Sequence, residues 1–595
     1  MKTKRLFHHS FWTATLVVAF TLVLRTGSVL GQTLFLTIND PNPQSDAYFG
    51  NSLAGIGDID GDLVPDIAVG APHQDVAGNS CQGQAFVFSG AAGSVLLTLD
   101  DPNPQSMAHL GCSLAGIGDV DGDLVPDIAV GAYGREVGAN SYQGQAFVFS
   151  GANGSVLLTL DDPNPQSYEY VGWSLAGIGD IDGDLVPDIA VGACGRDVAG
   201  NSNQGQAVVF SGADGSVLLT LDDPNPQSHA GFGWSLAGIG DIDGDLVPDI
   251  AVGALYQDVG GYIRQGQAFV FSGADGSVLL TLDDPNPQSV ALFGHSLAGI
   301  GDVDGDLLPD IAVGALYQDV GGYIRQGQAF VFSGADGSVL LTLDDPNPQS
   351  VALFGHSLAG IGDVDGDLLP DIVVGAYGQD VVGNSNQGQA FVFSGADGSV
   401  LLTLDDPNPQ SSALFGFSLA GIGDVDGDLV PDIALGAPHQ NAAGNSNQGQ
   451  AFVFLGSFDD VRRTTGGGFI LLNADSTRPA EMPRDKANLG FTVHIDKNQA
   501  AGNLEFHDKT AGINLKSQTM TWYTVSNNKA MFQGEATING DGLFTFRVDA
   551  KDGGLTGNEL DAFDIRIWEG TDTEVDLYYR AKNDLAGGNI VIHRK

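Results

Sequence analysis

The chain has 595 residues and a formal net charge of −49, because Asp and Glu number 73 while Lys and Arg number 24. Residues 32–460 contain four Arg and no Lys, so electrostatic repulsion argues against a nucleic-acid partner and against binding to an anionic membrane surface. With 43% hydrophobic residues and 85 Gly, the composition favours a packed, turn-rich fold over a disordered chain.

Residues 1–31 have the pattern of a secretory signal peptide. Lys2, Lys4 and Arg5 precede an apolar run over 13–24, and the small Gly31 lies at a plausible cleavage point. We therefore expect a protein that is secreted or held at the cell surface, with no membrane insertion after cleavage. An uncleaved N-terminal anchor is the alternative.

A ten-residue segment, GDIDGDLVPD or a close variant, recurs seven times at intervals of 61 residues. Each of these seven repeats contains four short apolar runs separated by Gly, Pro, Asp or Asn. In repeat one they are SLAGIG (52–57), DIAVGA (66–71), QAFVFSG (84–90) and SVLLTL (94–99). Four such strands make one antiparallel sheet. Seven sheets predict an all-β fold, a seven-bladed β-propeller over 32–457. A linear β-solenoid is the alternative, although its coils are shorter than this period.

The two ends of the repeat region complement each other. The segment TLFLTIND (33–40) matches the fourth run of the repeats, and repeat seven stops after AFVFLG (451–456), without a fourth run. We therefore expect the N-terminal strand to complete the last blade and to leave no open sheet edge.

Acidic residues follow one spacing in every repeat. In repeat one, Asp58, Asp60, Asp62 and Asp66 occupy positions 1, 3, 5 and 9 of a nine-residue loop, where the carboxylates would repel one another without a cation. Oxygen-only ligands suit Ca²⁺, and the main-chain carbonyl of Val64 at position 7 adds a further oxygen. Mg²⁺ suits the loop less well because it keeps its waters. The alternative is that these Asp-Gly-Asp segments only form turns.

About seven structural Ca²⁺ sites are thus expected, one per repeat. The predicted ligands, repeat by repeat, are Asp58, Asp60, Asp62, Val64, Asp66; Asp119, Asp121, Asp123, Val125, Asp127; Asp180, Asp182, Asp184, Val186, Asp188; Asp241, Asp243, Asp245, Val247, Asp249; Asp302, Asp304, Asp306, Leu308, Asp310; Asp363, Asp365, Asp367, Leu369, Asp371; and Asp424, Asp426, Asp428, Val430, Asp432.

The repeats diverge in the loops predicted to lie on the opposite face, those between strands two and three and those between blades. All four Arg of the repeat region fall there, together with several Tyr and Trp, a combination typical of binding hot spots. The predicted ligand-binding residues are Arg135, Trp173, Arg196, Trp234, Tyr256, Tyr262, Arg264, Tyr317, Tyr323 and Arg325. The alternative is sequence drift in solvated loops, with the two Trp packing between blades.

Two short motifs recur beside the acidic loops. Phe49-Gly50 and Gly70-Ala71-Pro72 in repeat one return as Phe415-Gly416 and Gly436-Ala437-Pro438 in repeat seven. With the acidic loop and the sevenfold count, they resemble the FG-GAP repeats of the integrin alpha-chain propeller. The resemblance implies calcium in the loops, adhesion or ligand binding on the opposite face, and an extracellular protein partner.

One loop position departs from that family. The family loop resembles D-x-D-x-D-G-x-x-D, with Gly at position 6, whereas this chain has Leu63 there and Gly61 at position 4. If position 6 needs a left-handed backbone, Leu costs about 1 kcal/mol, which would lower the calcium affinity.

After a predicted linker over 458–466, residues 467–595 have balanced charge and alternating apolar runs, which predict a β-sandwich or barrel. This domain resembles the post-COAP-type domain of secreted bacterial proteins, which implies association with multidomain surface proteins. The matching segments are KANLGF (486–491), GNLEF (502–506), TINGDG (537–542), FDIRIWEG (563–570) and GGNIVIH (587–593).

These observations favour a secreted, monomeric, calcium-binding propeller that acts in cell adhesion or binds an extracellular protein or glycan, and that is not an enzyme. One alternative is an enzyme on a propeller scaffold, such as a polysaccharide lyase or hydrolase, for which His73 and His439 are the candidates. The other is a structural matrix or surface-layer component.

Overall fold

A computed structural model describes residues 32–456, 463–471, 486–496, 499–509, 511–526, 529–551, 562–569 and 579–593. The predicted signal peptide, residues 1–31, lies outside the described residues. Every regular element in these ranges is a β-strand. Within them, no helix has the length and hydropathy needed to cross a bilayer.

Strands β1–β28 form seven four-stranded antiparallel sheets, numbered here as the repeats are. Sheets one to three contain β2 (Ser52–Gly57), β3 (Asp66–Ala71), β4 (Gln84–Phe88) and β5 (Val95–Leu99); β6 (Leu114–Gly118), β7 (Asp127–Ala132), β8 (Gln145–Phe149) and β9 (Val156–Leu160); and β10 (Val171–Gly179), β11 (Asp188–Ala193), β12 (Gln206–Phe210) and β13 (Val217–Asp222).

Sheets four to seven contain β14 (Phe232–Gly240), β15 (Asp249–Ala254), β16 (Gln267–Phe271) and β17 (Val278–Asp283); β18 (Phe293–Gly301), β19 (Asp310–Ala315), β20 (Gln328–Phe332) and β21 (Val339–Leu343); β22 (Phe354–Gly362), β23 (Asp371–Ala376), β24 (Gln389–Phe393) and β25 (Val400–Asp405); and β26 (Ser418–Gly423), β27 (Asp432–Ala437), β28 (Gln450–Leu455) and β1 (Thr33–Asn39).

The middle strands of each sheet are buried on both faces. All six residues of β3 and all five of β4 are buried, whereas in β5 only Leu99 is buried and Val95 is exposed. Apolar clusters fill the space between neighbouring sheets; one of them joins Ile67 and Phe86 of sheet one to Ile422 and Val453 of sheet seven. The fourth strand of each sheet is therefore the outermost.

The glycines of the two short motifs allow neighbouring sheets to approach closely. A Cβ on Gly70 would lie 2.0 Å from the carbonyl oxygen of Gly111 in sheet two, and Ser52 Oγ donates a hydrogen bond to the same oxygen at 2.8 Å. Between sheets seven and one, a Cβ on Gly436 would lie 2.0 Å from the Gly50 carbonyl oxygen. The same contact thus joins the last sheet to the first.

Strand β1 pairs with β28 and completes sheet seven, in the order β1-β28-β27-β26. Its sequence match to the fourth run of the repeats predicts this position. The innermost strands contact one another in sequence, and β26 also contacts β2. Repeated four-stranded sheets in this arrangement are consistent with a β-propeller.

The C-terminal region is a barrel of eight strands, in which each strand pairs with the next and the last pairs with the first. Its core contains buried Phe491, Phe506, Phe532, Phe546 and Phe563. The strands are β29 (Arg463–Leu471), β30 (Lys486–Asp496), β31 (Gln499–Asp508), β32 (Ile513–Ser526), β33 (Lys529–Ile538), β34 (Asp541–Lys551), β35 (Ala562–Glu569) and β36 (Tyr579–His593).

The predicted linker over 458–466 needs a correction at its end. Residues 463–466 belong to β29, which pairs with β30 on one side and β36 on the other. The Thr-Thr-Gly-Gly-Gly segment resembles a chain breaker, but main-chain pairing on both sides does not require side chains. Residues 457–462 lie outside the described residues, and the other domain boundaries stay predictions.

Candidate metal loops and the opposite face

Each acidic loop joins the innermost strand of a sheet to the second strand. In sheet one, β2 ends at Gly57 and β3 begins at Asp66, which is the ninth loop residue and is fully buried. Its Oδ2 accepts a hydrogen bond from the Ile59 N–H at 2.8 Å, and its Oδ1 accepts one from the Gly90 N–H at 3.0 Å. Asp66 therefore connects the loop to the turn between the third and fourth strands on the same face.

The first and fifth loop residues shape the loop through main-chain hydrogen bonds. Asp58 accepts hydrogen bonds from the N–H groups of Gly61 at 2.7 Å and Leu63 at 2.8 Å. Asp62 Oδ1 accepts one from the Val64 N–H at 2.9 Å. The corresponding bonds occur in all seven loops. The seven sites therefore share one local geometry.

The sixth loop residue is left-handed in every repeat, which meets the condition on which the predicted strain depends. Its φ is 70° at Leu63, and the equivalent values are 71° at Leu124, 72° at Leu185, 71° at Leu246, 77° at Leu307, 76° at Leu368 and 68° at Leu429. These side chains are exposed, Leu63 by 90%. Packing of the side chain therefore does not offset the free-energy cost of the left-handed conformation.

The loops fit a hard divalent cation. The described part of the chain contains seven groups of three or more residues that could ligate a metal ion. Each residue of a group offers one ligand atom, and these atoms lie within 4.8 Å of one another. One group is Asp58, Asp60 and Asp62. Burial raises the pKa of the ninth-position aspartates, to about 7 for Asp371 and Asp432. Such crowded, desolvated carboxylates suit an ion that prefers oxygen. The position-7 carbonyl ligands stay a prediction.

At the other ends of the strands, an open cleft of about 690 Å³ lies over repeats two to four. Four Tyr and two Trp line it: Tyr133, Tyr142, Tyr170, Trp173, Trp234 and Tyr256. The remaining lining residues include Arg264, Asn203, His229 and Cys194, and there is no acidic residue among them. The cleft therefore lies on the face where the repeats differ, opposite the acidic loops.

The aromatic rings of the cleft contact one another. The ring centroids of Trp173 and Trp234 are 4.6 Å apart, and those of Tyr133 and Trp173 are 4.9 Å apart. Both Trp side chains are half-buried, so they pack between sheets and also line the cleft. The ring contacts continue from Trp234 through His295 to His356. The rings of this face thus support one another across several sheets.

Two of the predicted ligand-binding residues are corrected by their burial. Arg135 forms a buried ion pair with Asp101, and its Nη2 donates to the Asn103 carbonyl at 2.9 Å. Arg196 forms buried ion pairs with Asp162 and, at 2.8 Å, with Glu169. Because each guanidinium is paired with a carboxylate between sheets, neither is presented to a ligand.

In the other five repeats, Gln replaces these two arginines. Gln379 Nε2 donates to the Asn347 carbonyl at 2.7 Å, in the same manner as Arg135 to Asn103. The neighbouring Asp345 is buried, and burial raises its pKa to about 6. The Arg positions of repeats two and three are therefore variants of a structural position.

Arg264 and Arg325 are exposed, as the prediction requires. Their guanidinium carbons lie 5.5 Å and 4.8 Å from the ring centroids of Tyr256 and Tyr317, respectively. Within the described ranges, neither forms an ion pair with a carboxylate. Arg264 lines the cleft, whereas Arg325 does not.

The remaining predicted residues divide in the same way. Trp173, Trp234 and Tyr256 line the cleft; Tyr262, Tyr317 and Tyr323 lie outside its lining. The enzyme candidates His73 and His439 also lie outside it, and their ring centroids are 4.5 and 4.7 Å from that of Tyr48. Burial lowers the pKa of His73 to about 4, so this imidazole is neutral at physiological pH.

The prediction missed several cleft residues, among them Tyr142, Tyr170 and His229. Each occupies a loop position at which the repeats differ, which is the signal that could have identified it. Cys194 also lines the cleft, but burial raises its pKa to about 12. The thiol is therefore protonated and does not supply a nucleophile.

The chain is similar over part of its length to integrin alpha chains. It is 29% identical to integrin alpha-5 of Xenopus laevis over 268 residues, 42% of this chain and 24% of that protein. It is 33% identical to integrin alpha-IIb of Homo sapiens over 253 residues (38% and 22%) and 30% identical to integrin alpha-PS2 of Drosophila melanogaster over 286 residues (43% and 19%). No family model matches the chain.

The chain thus aligns with only about a fifth to a quarter of the length of these relatives. The similarity and the repeated sheets support an integrin alpha-like β-propeller.

Proposed function

We propose that this chain is a secreted adhesion or ligand-binding protein, a closed seven-bladed propeller with calcium bound in its loops. The observation that carries the proposal is the division between its two faces. One face repeats the same acidic loop seven times, whereas the other has a cleft lined by residues that differ between repeats. A constant face suits structural ions, and a divergent face suits recognition.

Calcium in these loops has a structural role in this proposal. The aspartates at positions 1, 3, 5 and 9 and the carbonyl at position 7 would hold it, and the ion would neutralise their charge. The Gly436–Gly50 contact, which repeats the contact between sheets one and two, supports closure of the ring. The fold then depends on calcium rather than on disulfides, since all three cysteines are free.

The ligand face is the cleft over repeats two to four. Trp173, Trp234, Tyr256 and Arg264 are the predicted residues that line it. The similarity to integrin alpha chains supports an adhesion role for this face. Because the described lining contains no carboxylate and its only thiol is protonated, the cleft lacks the carboxylate pair of a glycoside hydrolase, which favours binding over hydrolysis. The C-terminal barrel, which resembles a post-COAP-type domain, is proposed to serve surface association.

Calcium removal tests the structural part. We expect about seven bound Ca²⁺ per chain by elemental analysis and a rise in the propeller's melting temperature with calcium, reversed by a chelator. Asp60→Asn keeps the oxygen that accepts the Asp62 N–H, so it should remove one bound ion with little effect on the chelated protein. An unchanged melting temperature on addition of chelator would contradict the calcium assignment.

Asp66→Asn is the matched comparison. Its amide group would face one of the two N–H donors that the carboxylate now accepts, so it should destabilise the protein by about 1–3 kcal/mol with or without calcium. Equal behaviour of the two variants would show that the third and ninth loop positions have the same role.

A further inference from the structure

Arg264 is the only arginine in the described lining of the cleft, and its guanidinium group is available to bind an anion. The Arg264 side chain is exposed beside Tyr256, with its guanidinium carbon 5.5 Å from the ring centroid. The main-chain N–H of Arg264 donates a hydrogen bond to Asp258 Oδ1 at 2.7 Å, which fixes the loop at this point. In the part of the chain that the structure describes, no carboxylate forms an ion pair with the guanidinium.

This arrangement is unusual for the composition of the chain. The net charge is −49, yet the described cleft lining contains one cation and no acid. Arg135 and Arg196, the other arginines of this region, are paired with buried carboxylates. The lining of the cleft is thus less acidic than the chain as a whole, although the carboxylates of Asp258 and Asp197 accept hydrogen bonds from the main chain of Arg264 and Asn203. Guanidinium groups bind carboxylates through two parallel hydrogen bonds.

The rest of the lining suits sugar rings. Six Tyr and Trp side chains surround a cavity of about 690 Å³, within the range of about 300–1,000 Å³ that is usual for small-ligand sites. The electron-rich faces of aromatic rings attract the polarised C–H bonds of a pyranose, and Asn203 and the Tyr hydroxyls supply hydrogen bonds to its hydroxyl groups. Trp173 and Trp234 pack against each other at an interplanar angle of 48°, with centroids 4.6 Å apart, and both line the cleft, where a sugar ring can contact them.

We propose that the cleft binds a carboxylate-bearing glycan, with its sugar rings against Trp173 and Trp234 and one carboxylate on Arg264. This inference rests on the proposed ligand-binding function and names its ligand class. A flat protein surface would reach few of the rings inside the cleft, whereas a single oligosaccharide chain can enter it. Long-range repulsion by the acidic loops is weak here, because they lie on the opposite face and salt screens charges beyond about 10 Å.

The test uses the full-length protein at constant free calcium on an array of uronic- and sialic-acid glycans, their carboxymethyl esters and extracellular proteins. We expect binding to acidic glycans that falls at least about tenfold when the carboxylate is esterified. Arg264→Gln should reduce the affinity for the acid by a similar factor and leave the affinity for the ester unchanged. Arg264→Gln and its control Arg325→Gln should have the same melting temperature as the unsubstituted protein, because both side chains are exposed.

Arg325→Gln is the matched control. Arg325 has the same loop sequence, GGYIRQG, and the same stacking on a tyrosine, but it lies outside the cleft. Its substitution should leave glycan affinity unchanged, and an equal loss in both variants would overturn the assignment to this cleft. Binding to neutral glycans alone or to proteins alone would overturn the ligand class and keep the ligand-binding function. Binding to nothing on the array would overturn both.

Discussion

A leucine occupies the sixth position of every acidic loop and is held in a left-handed backbone conformation. The side chain of Leu63 is 90% exposed, so replacing it removes almost no packing. Glycine adopts this conformation without steric cost but loses more freedom on folding, which leaves a net gain on the order of 0.5–1 kcal/mol per loop.

The first prediction at this scale is that replacing all seven of these leucines by glycine raises the denaturant midpoint of the propeller transition. The sevenfold Leu→Ala variant is the control, because alanine keeps the strain and removes the same exposed side chain. Equal midpoints for the two variants, measured in calcium, would show that the conformation carries no strain.

Arg135 and Gln379 occupy equivalent buried positions in two repeats, so exchanging them tests the effect of a positive charge beside a buried carboxyl. Asp345, beside Gln379, has a pKa raised to about 6 by burial, against 3.8 for an ordinary carboxyl. A carboxyl with a raised folded-state pKa stabilises the fold while it is protonated, and that contribution is lost as the pH rises from about 4 to about 6. A nearby guanidinium should lower this pKa and reduce the loss, although burial still keeps the pKa of Asp101 raised beside Arg135.

Gln379→Arg should therefore stabilise the protein at pH 7.5 and destabilise it at pH 4, where the new cation faces a neutral carboxyl. At pH 7.5 the free energy of unfolding should rise by about 1–3 kcal/mol. The residues before this position match those of repeat two, Tyr377-Gly378 and Tyr133-Gly134. Arg135→Gln is thus the reciprocal control and should give the opposite pH trend. Melting curves at the two pH values check the sign.

At the scale of elements, strand β1 has a role that no other strand shares, since it comes from the opposite end of the repeat region. It covers the edge of β28, and Ile38 within it is buried. Without it, β28 would present an unpaired edge, which is a site for association with other chains.

We expect deletion of residues 33–39 to cause aggregation or loss of the folded propeller, measured by size-exclusion chromatography and circular dichroism. Replacement of the same residues by SVLLTLD, the sequence at 94–100, is the control, because that segment supplies the fourth strand of sheet one. A monomeric, folded deletion variant would show that the strand is dispensable.

The same scale shows what the sequence allows one to predict. The 61-residue period and the alternation of apolar runs with turn residues predict β2 to β5 to within two residues at either end, because each repeat reports the same element again. The ninth-position aspartates were predicted only as metal ligands. Their hydrogen bonds to Ile59 and Gly90 depend on a turn 24 residues away, which local spacing does not reveal.

The arginines show the limit of residue type as a signal. Arg135 and Arg264 both lie in variable loops, yet one is buried beside Asp101 and the other is exposed over Tyr256. The difference is a shift in position within the loop: Arg135 aligns with Gln74, whereas Arg264 lies seven residues after the equivalent Gln257. Aligning the repeats by register, rather than by residue type, separates the structural arginines from the candidate ligand residue.

For the whole molecule, the pairing of β1 with β28 brings the first and the last strand of the seven sheets together. Thr33 faces Leu455 across this pair, and the N–H of Gly456 donates to Asp432 of the seventh acidic loop at 2.8 Å. The last described residue of the seven sheets, Gly456, therefore lies on the acidic-loop face. The cleft lies at the other ends of the strands, so the length of a sheet separates it from both Thr33 and Gly456.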